Sequence, residues 1–184
     1  NQPFEKILVS REEALDLGDE IIVMRDGKMI SRGIMSDFEK KPGSGWLARF
    51  MNLGLVLPII EISASKESQL LDIMTPEENM FQVSRNLESN IDNALEKAMC
   101  LYIPFSAIKI FRKNNNEKTI NVKIVRYLTS TPLVSKLVLT LPSMQDYFFE
   151  LPMPESDFPM PAEGTEIEIS IDQSMCQVLP DIPL

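Results

Sequence analysis

Histidine is absent from this chain of 184 residues, and its absence excludes several kinds of catalytic site. Histidine is the commonest general base of enzymes and the commonest transition-metal ligand in proteins. A Ser-His-Asp triad and zinc chemistry are therefore excluded. An enzyme built on this sequence would need a carboxylate or a cysteine mechanism instead.

Cysteine is scarce as well, because the sequence has only Cys100 and Cys176. Both stand in apolar, strand-like surroundings, which raise the pKa of a thiol and argue against a nucleophilic role. Two cysteines fit a reducing compartment, and a disulfide between them is the less favoured alternative. We interpret both as packing residues.

The seven glycines are scattered, and none stands in the spacing of a phosphate-binding loop with a following Lys-Ser or Lys-Thr. We therefore expect no nucleotide-binding loop, and because histidine is absent we expect no cofactor or metal site in this chain alone. Four carboxylates near the beginning are expected to cap a helix or face solvent rather than to act in catalysis. They are Glu12, Glu13, Asp19 and Asp26.

Long apolar runs and an excess of positive charge are also missing. No run approaches the ~20 apolar residues that span a bilayer, and no secretory signal pattern begins the chain, so we expect a soluble protein without an export signal. The sequence has 27 acidic and 18 basic residues, which gives a net charge of −9. Nucleic-acid binding requires clustered lysine and arginine, so a nucleic-acid partner is excluded.

The first part of the chain predicts a short α/β segment, a helix followed by a β-hairpin. Ser10 and Glu13 have the spacing of a capping box, which predicts a helix over residues 11–18. Residues 21–24 are rich in β-branched side chains, an Asp-Gly pair has the chemistry of a turn, and residues 28–32 predict the returning strand.

A helical linker is predicted after the hairpin. A short helix starts at Ser36, a Pro-Gly-Ser-Gly break follows at residues 42–45, and Trp46, Leu47 and Phe50 then form one apolar helical face. This pattern indicates a linker that docks on a neighbouring domain.

Beyond the linker the pattern changes to short alternating strands separated by polar turns. Such a pattern is typical of a small β-barrel or sandwich. We place the boundary near residue 53, so that residues 1–53 form the first part and residues 54–184 a β-rich domain. The predicted fold class is mainly β.

A weak internal repeat runs through the β-rich domain. "LPIIEIS" at 57–63 matches "VKIVRYL" at 122–128, and "LYIPFSAIKIF" at 101–111 matches "ISIDQSMCQVL" at 169–179. The repeated order of the two pieces predicts two similar units. The alternative is that any two β-rich segments alternate alike.

The two predicted units span about residues 54–113 and 118–184, with a polar joint at 114–118. The second matching pair shares one serine, Ser106 with Ser174. Apolar spacing in "ESNIDNALEKAMC" further predicts a short helix within the first unit, which takes the place of a loop there.

Several of these strings resemble a known family. "EEALDLGDEIIVMRDGKMISRG", followed by "FEKKP" and "WLARFMNLGLVLP", is similar to the end of the ATP-binding subunits of bacterial ABC-type importers. The resemblance covers about the first 58 residues. The β-rich remainder is similar in layout to the tandem OB-like regulatory barrels of such subunits, called TOBE domains.

The chain departs from the family at the switch histidine, whose position is occupied by Val9, and Ser10 stands where an aspartate is usual. The phosphate loop, signature motif and Walker B carboxylates of the family are also absent. The resemblance therefore implies either a C-terminal fragment or a degenerate subunit. ATP and magnesium are expected only in an intact parent protein.

The resemblance implies a regulatory and dimerising module of an importer of a small solute, an anion, a metal or a sugar. Its expected partners are a second copy of the chain and the membrane permease subunits. The expected location is cytoplasmic, at the inner membrane through the transporter complex. No catalysis by this chain alone is expected, and an enzyme with an unrecognised pocket is the third class considered.

The second functional class is a standalone barrel that binds a small oxyanion. Two hydroxyl-rich segments, "SASK" and "TSTP", are predicted turns whose amides, hydroxyls and lysine would hold the anion. Exposed loops without a ligand are the competing interpretation. The candidate residues are Ser63, Ser65, Lys66, Thr129, Ser130 and Thr131.

Overall fold

The computed structural model describes residues 20–64, 69–84, 98–110, 117–131, 134–152 and 161–181, with backbone alone at 64, 129–131 and 134–135. The helix predicted over residues 11–18 lies outside this part of the chain. So does most of the stretch 88–100 in which a short helix is predicted, and the last two residues of that stretch belong to a strand.

The predicted hairpin is confirmed. Strand β1 (Ile21–Arg25) pairs with strand β2 (Lys28–Gly33) in antiparallel fashion. Asp26 and Gly27 connect them with φ angles of 50° and 75°. Two consecutive positive φ angles match the right-handed twist of the strands, and Asp-Gly is among the few pairs that adopt them at low cost.

Two short helices follow, α1 (Met35–Lys40) and α2 (Gly45–Phe50). Helix α1 begins one residue before the predicted start at Ser36. The Ser44 hydroxyl caps α2 by accepting a hydrogen bond of 3.1 Å from the backbone amide of Leu47. No helix in the described part of the chain is both long and apolar enough to cross a bilayer.

The rest of the described chain is built almost entirely from antiparallel strands, so the mainly β prediction is confirmed. The strands are β3 (Gly54–Pro58), β4 (Glu61–Ala64), β5 (Leu70–Thr75), β6 (Asn79–Ser84), β7 (Met99–Pro104), β8 (Ile108–Ile110), β9 (Lys118–Thr131), β10 (Val134–Leu141), β11 (Met144–Pro152), β12 (Glu166–Ile171) and β13 (Gln177–Pro180). They form three sheets with the orders β11-β10-β9-β12-β8, β13-β7-β3 and β4-β5-β6.

Strand β9 gives the second unit an OB-like arrangement. Its first half pairs with β12 and its second half with β10, which continues into β11. A bulge at Val125 separates the halves, because Ile124 lies opposite Leu139 while Arg126 lies opposite Val138. A bulge bends a strand and increases its twist, which allows one strand to serve both halves of a small barrel.

The second pair of repeat strings is confirmed as a structural repeat. Each string forms a strand, a 3₁₀ turn and a second strand, with turns at Phe105–Ala107 and Gln173–Met175. The two strings also pair with each other at equivalent positions, since Tyr102 lies opposite Gln177 and Lys109 lies opposite Ser170. The two units are thereby interlocked, because each contributes a strand to a sheet of the other.

The first pair of repeat strings is displaced by two residues. Leu57 lies opposite Leu101, but Ile169, the equivalent of Leu101, lies opposite Ile120 rather than Val122. Side chains alternate along a strand, so a slip of two residues keeps the same face buried. The apolar pattern of the sequence is therefore preserved under both alignments and does not distinguish them.

Two hydrophobic cores stabilise the fold. The first fills the β-rich domain and draws on both units, with Phe81 and Val83 from the first unit and Leu139 and Ile169 from the second. The second lies between the hairpin, the two helices and the sheet β13-β7-β3. It contains Ile21, Val23, Phe38, Leu47, Ala48, Met51, Leu53, Val56, Cys100, Tyr102 and Leu179. The predicted boundary near residue 53 thus lies within one continuous core.

Candidate functional site

Four of the six predicted oxyanion residues lie in the described part of the chain, in two different sheets. Ser63 is exposed in β4 opposite Asp72, so it lies in a strand rather than in a turn. Ser65 and Lys66 lie outside the described residues. The backbone of residues 129–131 forms the end of β9, which corrects the predicted turn, and this strand belongs to a different sheet from β4.

The other chemical candidates behave as expected where they are described. Asp26 is 88% exposed in the hairpin turn, whereas the other three early carboxylates lie outside the described residues. Cys100 and Cys176 are free and buried, and burial raises the pKa of each thiol to about 12. Both thiols are therefore protonated at neutral pH, which confirms the interpretation as packing residues.

Metal ligation finds no support in the described ranges. They contain no group of three or more cysteine, aspartate or glutamate residues placed to hold a metal ion. One contact between distant segments is the seam between the linker and the barrel, formed by residues 20–53 on one side and the sheet β13-β7-β3 on the other.

Tyr102 is the central polar residue of this seam. Its side chain is fully buried in β7, and its hydroxyl lies 2.9 Å from the carbonyl oxygen of Glu39 and 3.3 Å from that of Leu53. Burial raises the pKa of the Tyr102 hydroxyl, and the negative charge of Glu39 raises it further. The hydroxyl therefore remains a hydrogen-bond donor and joins the linker at two places to the barrel.

Helix α2 is held closely against the same sheet. A Cβ atom at Gly45 would lie 2.3 Å from the Cys100 sulfur and 2.9 Å from a carboxylate oxygen of Asp181, so only glycine fits there. The guanidinium group of Arg49 forms an ion pair with Asp181, just after β13. Charge pairing and close packing thus act at the two ends of one short helix.

One further hydrogen bond crosses the seam, and another joins strands β3 and β11 within the barrel. The Gln177 side-chain amide donates to the carbonyl oxygen of Lys40 over 2.6 Å. The Tyr147 hydroxyl of β11 accepts from the backbone amide of Val56 over 3.1 Å, which satisfies an amide at the edge of β3. Burial raises the pKa of Tyr147, so this hydroxyl too is neutral at pH 7. The linker therefore contacts strands that come from both units.

The sequence predicted part of the apolar face of this seam but not its polar contacts. Leu47 follows from the helical spacing of the linker and is buried as expected, whereas Phe50 of the same predicted face is 52% exposed. Tyr102 sits in an apolar strand, where a single tyrosine gives no signal of a specific partner. Arg49 and Asp181 are 132 residues apart, and no local pattern connects them.

Comparisons with known proteins leave the family open. No protein-family model matches the chain, and no curated protein matches its sequence. Among solved structures, the chain is similar to ModG, described as a cytoplasmic molybdate-binding protein and crystallised with molybdate bound. The identity is 12% and the TM-score 0.47, over 68% of this chain and 96% of ModG. A likeness of this size does not assign a ligand or a role to this chain.

Proposed function

We propose that this chain is the C-terminal regulatory and dimerising module of the ATP-binding subunit of an ABC-type importer for a small solute. The observation that carries the proposal is the second hydrophobic core. It joins the segment whose sequence resembles the end of such an ATPase domain to an OB-like tandem barrel. The segment that carries the family resemblance thus packs against the barrel in a shared hydrophobic core.

A regulatory module requires a connection that transmits displacement. Packed interiors have low compressibility and transmit strain. The seam combines such packing with the Tyr102 hydrogen bonds and the Arg49–Asp181 ion pair. A shift of the barrel caused by a second copy of the chain would therefore move the hairpin and helices with it, and through them an ATPase domain.

The proposal also includes binding partners and a cellular location. We infer a homodimer, contacts to membrane permease subunits through the parent protein, and a location on the cytoplasmic side of the inner membrane. The net charge of −9 supports the exclusion of nucleic acid, because phosphate backbones would be repelled. No catalytic role is proposed for this chain alone.

The coding sequence directly upstream of Asn1 tests the proposal. We expect it to encode, in the same reading frame, a glycine-rich phosphate loop, a signature motif and Walker B carboxylates. A start codon close to Asn1, without these motifs, would contradict the role as part of an ATP-binding subunit.

The chain alone is expected neither to bind nor to hydrolyse ATP. Phosphate binding needs successive backbone amides and a lysine, and the sequence has neither a phosphate loop nor a histidine at Val9. Isothermal titration with Mg-ATP should give no heat beyond dilution. Replacing Val9 with histidine should not change this result, because the other parts of the site would still be missing. Micromolar affinity would refute the prediction.

The alternative function, a standalone oxyanion-binding barrel, predicts that an oxyanion stabilises the fold. A bound oxyanion at a hundredfold excess over its dissociation constant would stabilise the fold by about 2.7 kcal/mol. We expect no thermal shift with molybdate, tungstate, sulfate or phosphate beyond a chloride control, because a chain with a net charge of −9 repels anions and each predicted turn has at most one lysine. A shift that disappears in the Lys66→Ala variant would favour the oxyanion barrel.

A further inference from the structure

A groove of about 390 Å³ lies where the end of helix α2 meets strands β9, β10 and β11. We call it the Arg126 groove. It is on the side of the sheet opposite to Leu137 and Leu139, whose side chains belong to the first core. Its lining residues are Asn52, Val125, Arg126, Val138, Phe148, Phe149 and Glu150.

The floor of the groove follows from the strand register. Arg126, Val138 and Glu150 lie in one row across three strands. Val138 is 5% exposed although it points away from the first core, so its neighbours shield it. The bulge at Val125 stands directly before Arg126, and bulges redirect side chains. The result is an apolar floor with a guanidinium group on one side and a carboxylate on the other.

The two charged residues of the row differ in their ion pairing. The Glu150 carboxylate lies 3.2 Å from the ammonium group of Lys136. Arg126 is exposed, and no carboxylate within the described ranges lies at ion-pair distance from it. An uncompensated guanidinium group beside apolar surface is well suited to a planar anion, because its donors match both oxygens of a carboxylate.

The remaining walls favour an apolar body. Phe148 is 54% exposed, which leaves its ring available for contact. Asn52, just after α2, contributes a side-chain amide that donates or accepts a hydrogen bond. Ligand pockets combine apolar walls with a few polar groups in this way and have volumes of roughly 300–1,000 Å³.

We propose that the Arg126 groove binds a small monocarboxylate with a flat apolar body. The carboxylate would pair with Arg126, and the ring would lie against Phe148. Arg126 is the one unpaired cation among the described lining residues, which suits a single carboxylate rather than a multiply charged anion such as molybdate, sulfate or phosphate. The site goes beyond the proposed function and does not depend on it. Its ligand would touch both the linker and the second unit.

Phenylacetate is the probe for this proposal, and 2-phenylethanol is its neutral counterpart. The full chain, labelled with ¹⁵N, is titrated with each compound while the amide signals of Asn52, Val125, Val138 and Phe148 are followed. We expect saturable shifts with phenylacetate and at least about tenfold weaker binding of 2-phenylethanol, because a charge-assisted pair is lost. Equal binding of the two compounds would overturn the proposal.

Arg126→Gln should weaken phenylacetate binding by about tenfold or more. The matched control is Lys123→Gln, which removes an exposed cation of the same strand outside the groove, and it should change the affinity less than about twofold. Well-dispersed spectra of both variants would show that they fold. The proposal fails if Arg126→Gln binds like the parent chain, or if no saturable shift occurs up to about 20 mM probe. It also fails if the groove signals move with protein concentration alone, since a second copy then covers the groove.

Discussion

Replacement of Leu47 by alanine is expected to destabilise the chain by about 2–5 kcal/mol. Leu47 is 1% exposed and lies in the second core, between helix α2 and the sheet β13-β7-β3. Its truncation would leave a cavity in the contact that joins the linker to the barrel. Urea unfolding measures the loss of stability. Hydrogen exchange should show faster opening of residues 20–53, while the strands of the first core stay protected.

The control for this substitution is Phe50→Ala on the same helix. Phe50 is 52% exposed and stacks on Trp46 with ring centroids 5.1 Å apart. Loss of that pair should cost only about 0.5–1.5 kcal/mol beyond the area it buries. If both variants unfold at the same urea concentration, the linker does not depend on the second core. The structural basis of the proposed regulatory role would then be lost.

Replacement of Phe81 by alanine is expected to cost about 3–5 kcal/mol. Phe81 is fully buried in β6, and the ammonium group of Lys118, from the second unit, lies 5.9 Å from its ring centroid. The first core draws on both units, so the loss should lower the stability of the whole barrel in one cooperative transition. Urea unfolding followed by circular dichroism checks both the size of the effect and the single transition.

Met80 provides the comparison for Phe81, because it precedes Phe81 in β6 and is 47% exposed. Met80→Ala should change the stability by no more than about 0.5 kcal/mol, as surface substitutions do. Two separate transitions in the Phe81→Ala variant would mean that the units fold independently. The interlocked strands β7, β8, β12 and β13 would then be less important than the shared core implies.

These two substitutions bear on function in different ways. Leu47→Ala is expected to weaken the seam and leave the barrel folded, so it would separate the segment proposed to belong to an ATPase domain from the part proposed to regulate it. Phe81→Ala destabilises the barrel itself. In an intact parent protein, loss of regulation with retained ATP hydrolysis after Leu47→Ala would be the result expected of a coupling contact.

Local features of this protein were predictable because they depend on neighbouring residues. The hairpin follows from an alternating strand and an Asp-Gly pair, whose backbone adopts positive φ at low cost. The mainly β class follows from the period of two in apolar residues. The repeat of strand, 3₁₀ turn and strand follows from two strings that share the same pattern, and its hydrogen bonds recur at Ile108 and Cys176.

Two predictions about β9 were wrong for a related reason. The pairing of β9 is shifted by two residues from the predicted repeat, and residues 129–131 form a strand instead of a turn. An apolar alternation reads the same after a shift of two residues, so it predicts which face is buried but not which residues pair. Hydroxyl-rich residues likewise fit both a turn and the end of a strand. Only the pairing of β9 with β10 and β12 decided these positions.

The sequence by itself determined what the chain lacks, where the hairpin turns, and that two similar β-rich units follow a helical linker. The tertiary structure alone placed Tyr102 against the carbonyl groups of Glu39 and Leu53, and paired Arg49 with Asp181. It also left Arg126 beside an apolar floor at the Val125 bulge. Backbone preferences act over a few residues, whereas contacts between distant segments depend on how all the strands pack, and no short pattern encodes that packing.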